Sequence, residues 1–152
     1  MSKVSVIGII GYSVFMYVDS LPKEGETVKA DDILTEAGGK GFNQALTLSR
    51  FNVEVSFLAA VGSDGYYPQF CDLCDMEGIK PFLVEKQGLT AYAVIHIDRQ
   101  GKNFVSVCPG VTLEDKDIDL FEEEIKSSDY LLVTNEIPYD VLKKSILLAD
   151  KY

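Results

Sequence analysis

Histidine is nearly absent from this sequence. His96 is the only one, and it falls in a stretch that reads as a hairpin strand. No convincing Ser/His or Cys/His nucleophile arrangement can be built around it. Basic residues are also scarce: 14 Lys and Arg stand against 24 Asp and Glu, for a formal net charge of -10. Such a chain lacks the clustered cations that neutralise phosphates, so no nucleic-acid partner is expected. The same charge argues against an anionic membrane surface, and no apolar run reaches the length of a membrane span. The apolar opening through Val18 carries an early Lys3 but no small-residue cleavage site before Asp19, so it reads as a buried strand and not as a signal peptide. The cysteines are Cys71, Cys74 and Cys108. An odd, small number without a secretory signal points to reduced thiols in a cytoplasmic protein. Cys71 and Cys74 form a C-x-x-C in a helical stretch, and without a second ligand pair they read as structural thiols.

What is present is enough for a sizeable core. The chain has 152 residues, 47% of them hydrophobic, which suits one compact domain. Val4 to Ile10 reads as a short buried strand, with Val14 to Val18 continuing it or starting another, and Thr27 to Leu34 as a strand of mixed polarity that Gly38 to Gly41 breaks. Asn43 to Phe51 has helical spacing, and Asn52 suits its left-handed end. Val53 to Val61 is an apolar strand, Tyr66 to Met76 a helix stopped by Gly78, and Pro81 to Val84 a short strand. Thr90 to Asp98 and Asn103 to Cys108 flank Arg99-Gln-Gly-Lys102 as a hairpin, with Gly101 free to take a positive φ. Thr112 is the expected cap of a helix carrying Ile118, Phe121 and Ile125. A buried strand from Tyr130 to Thr134 precedes a last helix that Pro138 opens, its apolar face made of Val141, Leu142, Ile146 and Ala149. Strands and helices alternate around one inserted hairpin. That order is α/β: a parallel sheet flanked by helices, plus a small antiparallel piece.

The glycines of Glu36-Ala-Gly-Gly-Lys-Gly-Phe-Asn43 invite a phosphate-loop reading, and spacing rejects it. Leu34 and Gly41 stand where a P-loop needs Gly and Ser or Thr, and Gln44 stands where a dinucleotide fingerprint needs its third Gly. What survives is a helix N-terminus with bare backbone N–H groups at Gly39 and Gly41, and added donors from Lys40 and Asn43, suited to an oxygen-rich or anionic ligand. A glycine hinge with a capped helix and no ligand is the alternative. Glu114 to Glu124 resembles a calcium loop only superficially, because Leu120 and Lys126 occupy the positions that need Gly and Glu. This acidic run reads as the solvated face of a helix. Glu136, just past a strand, lies where ligands of parallel α/β sheets gather, and could accept hydrogen bonds from hydroxyls. Gly11 and Ser13 end the first strand at the same edge and are small enough to line a pocket.

Together these pieces resemble the amino-terminal half of the ribokinase (PfkB) family of carbohydrate kinases. Ala37 to Ala45, followed by Gly62, is similar to the family's first signature, with Asn52 in place of the usual Gly or Ser. Leu21 to Val28, Ala59 to Tyr67, the hairpin, and Leu131 to Pro138 fall in the expected order. The resemblance implies a partial central, mostly parallel sheet with a small β-lid built from about residues 14–34 and 90–108. It implies a substrate site at Gly39, Lys40, Gly41, Asn43 and Glu136. Gly11 and Ser13 match it only in place: ribokinase-like members carry Asn and Asp there to grip sugar hydroxyls, so a substrate other than ribose is open.

The family's second signature, with its general base and ATP site, has no counterpart within these 152 residues. Members phosphorylate a sugar or nucleoside hydroxyl with Mg-ATP, and this chain alone is expected to bind neither ATP nor metal and to have no catalytic residue. Its expected partners are a small sugar or nucleoside, and either a second copy or a separate carboxyl-terminal half. The alternative is a noncatalytic sugar-binding or oligomerisation module derived from that family.

Overall fold

The structure, a computed structural model, describes residues 2–152. Its strands are β1 (Lys3–Ile7), β2 (Gly11–Val18), β3 (Ala30–Gly38), β4 (Glu54–Gly62), β5 (Ile79–Lys86), β6 (Ala91–Ile97), β7 (Asn103–Cys108) and β8 (Tyr130–Val133). Its helices are α1 (Lys40–Arg50), α2 (Tyr67–Met76), α3 (Asp115–Asp119), α4 (Glu122–Ser127) and α5 (Tyr139–Lys151).

β5, β4, β1 and β8 form a sheet in that order, every neighbouring pair parallel. β4 shows why it lies inside. Its side chains alternate between the two faces and almost all are apolar. Val55, Phe57, Ala59 and Val61 pack with Phe42 and Ala45 of α1 and Phe70 and Cys74 of α2. Leu58 and Ala60 turn to the other face, against Ile118, Phe121, Ile125 and Val141 of α3, α4, α5 and their junctions. Full burial of one such large side chain contributes about 1.5–3 kcal/mol, so the two layers hold the sheet from both sides.

A second sheet has the order β3-β2-β6-β7. It contains two antiparallel pairs, β2 with β3 and β6 with β7, as an antiparallel piece requires. Between them β2 and β6 run parallel, Gly11 opposite Ala91 and Ser13 opposite Ala93. This join makes the small sheet mixed, and no local pattern in the chain announces it. The two sheets meet at Asp64, just past β4. Its carboxylate accepts hydrogen bonds from the Thr90 N–H at 2.7 Å and the Thr90 hydroxyl at 2.6 Å. The same hydroxyl accepts the Gly62 N–H at 3.0 Å. Burial alone would raise the Asp64 carboxyl, but these hydrogen bonds outweigh it and hold it below the ordinary carboxylate value.

Several expectations need correction. The first strand stops at Ile7. The third runs Ala30–Gly38, not Thr27 to Leu34, so pairing with β2 carries it into the glycines. Thr112 does not cap α3. Glu114 does, in a capping box: the Asp117 carboxylate accepts the Glu114 N–H at 2.7 Å. On α5, Ile146 is 54% exposed while Ser145 is fully buried, because the helix sits rotated toward Val141 and Ser145. Asn52 does hold φ 60, the left-handed end foreseen for α1, and Gly101 holds φ 78 in the hairpin.

The acidic run is not simply a solvated face. Asp117 is buried and pairs with Lys86 at 2.8 Å. Glu124 is buried beneath the amino ends of three strands. It accepts hydrogen bonds from Ser56 of β4 at 2.6 Å and Lys80 of β5 at 2.6 Å, and pairs with Lys3 of β1 at 3.0 Å. Burial works against its charge, but the donors from Lys80, Ser56 and Lys3 prevail and draw its pKa down to about 2.

Candidate functional site

Gly8 to Ile10 links β1, in the main sheet, to β2, in the small one. α1 starts against this link, and glycine permits the approach. Gly39 holds φ 100, and a Cβ there would lie 2.4 Å from the Ile9 carbonyl oxygen. A Cβ on Gly41 would lie 2.7 Å from the Gly8 Cα. The Phe42 N–H then donates to the Ile9 carbonyl at 3.1 Å, and no side chain caps the helix. What the glycine-rich backbone approaches is therefore its own chain, at the turn between the two sheets.

That contact forms one wall of a cleft of about 340 Å³. Six of the seven residues singled out from sequence line it: Gly11 and Ser13 on β2, Gly39 before α1, Lys40 and Asn43 on its first turn, and Glu136 after β8. Gly41 does not line it. It lies buried one step behind, against Gly8. The Lys40 ammonium donates to Glu136 Oε1, closing an ion pair across the cleft. Ser13 and Asn43 have no side-chain hydrogen bond among the described residues, so both remain available to a ligand.

The rest of the lining escaped the sequence reading. Ile9, Ala91, Ala93, Val107 and Pro109 give it an apolar wall, and Tyr12 and Tyr92 flank it. Tyr12 lies between two residues that were identified, and could have been read with them. Its ring packs on Tyr66 and Phe70 with centroids 4.7 and 4.9 Å away, and its hydroxyl donates to Gln69 Oε1 at 2.9 Å. Burial, then the neighbouring Tyr66, push its pKa up, so the phenol is a neutral donor. Ala91, Ala93 and Val107 reach the cleft only through the parallel β2–β6 pairing and the β6–β7 hairpin. No short-range signal marks them.

The lining offers hydrogen-bond donors, one carboxylate and an apolar wall. Small, partly hydroxylated molecules with an apolar side fit that distribution.

A sequence profile described as pfkB family carbohydrate kinase matches residues 1–150. A deoxyribokinase of Salmonella typhi is 28% identical over 153 residues, covering 98% of this chain and 50% of its own. The structure of a ribokinase from Giardia lamblia superposes with a TM-score of 0.90 at 20% identity, covering 99% of this chain and 50% of its own. That of an Arabidopsis thaliana ribokinase, complexed with ribose and ATP, superposes at 0.78 and 23% identity, with 99% and 51% covered. The chain spans about half the length of the curated relatives it matches.

Proposed function

Because the chain belongs to the pfkB family of carbohydrate kinases, we propose that its cleft is the sugar-binding part of such a kinase, and that the β3-β2-β6-β7 sheet is the lid over it. The observation that carries this is the convergence of Ser13, Lys40, Asn43 and Glu136, from three separate segments, on one cleft. The substrate is a sugar or nucleoside. Lys40 and Asn43 donate to its oxygens and Glu136 accepts from its hydroxyls. No carboxylate stands at Gly11 or Ser13 to hold a pair of hydroxyls, so the fully hydroxylated pentose is disfavoured against a substrate with an apolar side.

ATP and magnesium belong to the complete enzyme in this reading, and the residues present do not fit them. A triphosphate needs free backbone around the glycines, whereas Gly39 and Gly41 are pressed onto Ile9 and Gly8. No phosphoryl-transfer step is therefore assigned to these residues, and the 152-residue polypeptide by itself is expected to turn over no ATP. The reading includes a cytoplasmic protein that works beside a carboxyl-terminal half or a second copy. The exposed Tyr130 of β8 and Ile146 and Leu147 of α5 favour such a cover.

Thermal-shift screening of sugars and nucleosides, each with and without Mg-ATP, tests the proposal. A melting shift with a sugar or nucleoside and none with Mg-ATP alone is expected. A shift with Mg-ATP alone, or with no sugar or nucleoside, overturns it.

A further inference from the structure

The main body of the molecule supplies one apolar side chain to a cleft that it otherwise lines with polar groups and bare backbone. Outside the small sheet and the Pro109 turn that follows it, the lining is Ile9, Gly39, Lys40, Asn43 and Glu136. Ile9 sits in the link between β1 and β2. Its neighbour Ile10 is fully buried and packs with Phe42, Ala45 and Phe57 on the α1 and α2 side of the main sheet. Ile9 is only half-buried and, among the described residues, joins neither apolar layer. The core is therefore not what calls for an isoleucine here.

Its place is fixed by the start of α1. The Ile9 carbonyl accepts the Phe42 N–H at 3.1 Å, and a Cβ on Gly39 would lie 2.4 Å from the same oxygen. A β-branched side chain on a held backbone has little rotamer freedom, so Ile9 has little scope to turn aside for a ligand. A second cavity, of about 10 Å³, is lined by Gly8, Ala60, Thr112 and Ile137 together with Ile9 and Glu136. Ile9 and Glu136 line both spaces, so Ile9 belongs to the partition between them.

On the sugar reading of the cleft, we propose that Ile9 sets its specificity: the ligand carbon that meets Ile9 bears hydrogen or an alkyl group and no hydroxyl. Oxygens on the neighbouring carbons go to Lys40, Asn43 and Glu136. A hydroxyl pressed against Ile9 gives up its water and finds no partner on that side chain, and a buried hydroxyl left unpaired is costly. A methylene or methyl group in the same place gains from burial against the isoleucine. The ligand class is a deoxy or alkyl-substituted sugar, free or as its nucleoside.

Calorimetric titration of the full chain with ribose, adenosine and the monodeoxy analogues of each tests this. One deoxy analogue is expected to bind about tenfold to a hundredfold more tightly than its hydroxylated counterpart. Ile9→Val removes a methylene, adds no hydroxyl and is expected to keep that preference. Ile9→Thr has the shape of Ile9→Val with a hydroxyl in place of one methyl group, and is expected to cut the preference about tenfold. A role confined to packing would weaken binding of both compounds alike and leave the ratio of their affinities unchanged. Far-ultraviolet circular dichroism checks the fold of each variant. Should Ile9→Thr fail to fold, Ile9→Ala decides in its place: it removes the apolar wall and is expected to lower the preference. A chain that binds none of these compounds overturns the sugar reading, and the role of Ile9 with it. A chain that binds them without preferring a deoxy analogue, or that keeps the preference in the deciding variant, overturns the role of Ile9 alone.

Discussion

Lys40, the first residue of α1, and Glu136, just beyond β8, form an ion pair across the cleft, although 96 positions separate them in sequence. The Lys40 side chain is 71% exposed and that of Glu136 36%. Exposed pairs contribute at most about 1 kcal/mol to stability, so the pair is better placed to meet a ligand than to hold the fold. In the proposed function, Lys40→Ala and Glu136→Gln each lose a charged hydrogen bond to the substrate, about 1.5–3 kcal/mol or roughly tenfold to a hundredfold in affinity. Calorimetric titration with the sugar or nucleoside that shifts the parent chain measures this. Loss of ligand binding with a melting temperature near that of the parent is expected.

Gly41→Ala places a methyl group 2.7 Å from the Gly8 Cα and 2.8 Å from the Ile9 nitrogen. Both are backbone atoms, so the helix must shift away from the turn. Overpacking of this kind costs about 1–3 kcal/mol. Chemical denaturation is expected to show that loss. Because the shift moves Lys40 and Asn43, ligand affinity should fall along with stability.

Glu124 sets a pH dependence. Its ordinary pKa of 4.5 is drawn down to about 2 in the fold. A carboxylate with a lowered folded pKa contributes stability that is fully present above its unfolded value and is lost as pH falls through the folded one. The contribution, about 3 kcal/mol, should therefore fade between about pH 4.5 and pH 2. Melts of the parent and of Glu124→Gln across this range test it. The gap between them is expected to be widest near neutral pH and to narrow in acid.

Thr90→Val keeps the shape of the side chain and removes its hydroxyl. Asp64 then loses one donor, and the buried Gly62 N–H loses its acceptor. Leaving one buried polar group unpaired costs about 1–3 kcal/mol. The loss falls on the junction between the sheets. Amide exchange should therefore accelerate most at Gly62 and in β6 and β7, and least in β1 and β8, in hydrogen-exchange mass spectrometry.

Much of the fold was legible because its signals are local. β4 is apolar on both faces and reads as an apolar strand from its residues alone. The Arg99 to Lys102 turn announced a hairpin, and Asn52 marked the end of α1 by its tolerance of a positive φ. Acidic residues misled because charge suggests solvent. Asp117 and Glu124 are buried all the same, each opposite a lysine from a distant strand. α5 misled because helical spacing defines a stripe but not which side of it faces inward, and the sheet turned Ser145 inward in place of Ile146.

By itself the sequence determined the elements, their α/β order and the family resemblance. Those depend on residue periodicities of two and 3.6 and on short motifs that need no distant partner. Tertiary structure alone decided that β2 runs parallel to β6 and brings Ala91, Ala93 and Val107 to Ser13. It also decided that Lys40 meets Glu136, and that Gly41 supports the cleft from behind without lining it. Each of these joins segments far apart in the chain, and which segments meet is set by how the two apolar layers close around the main sheet.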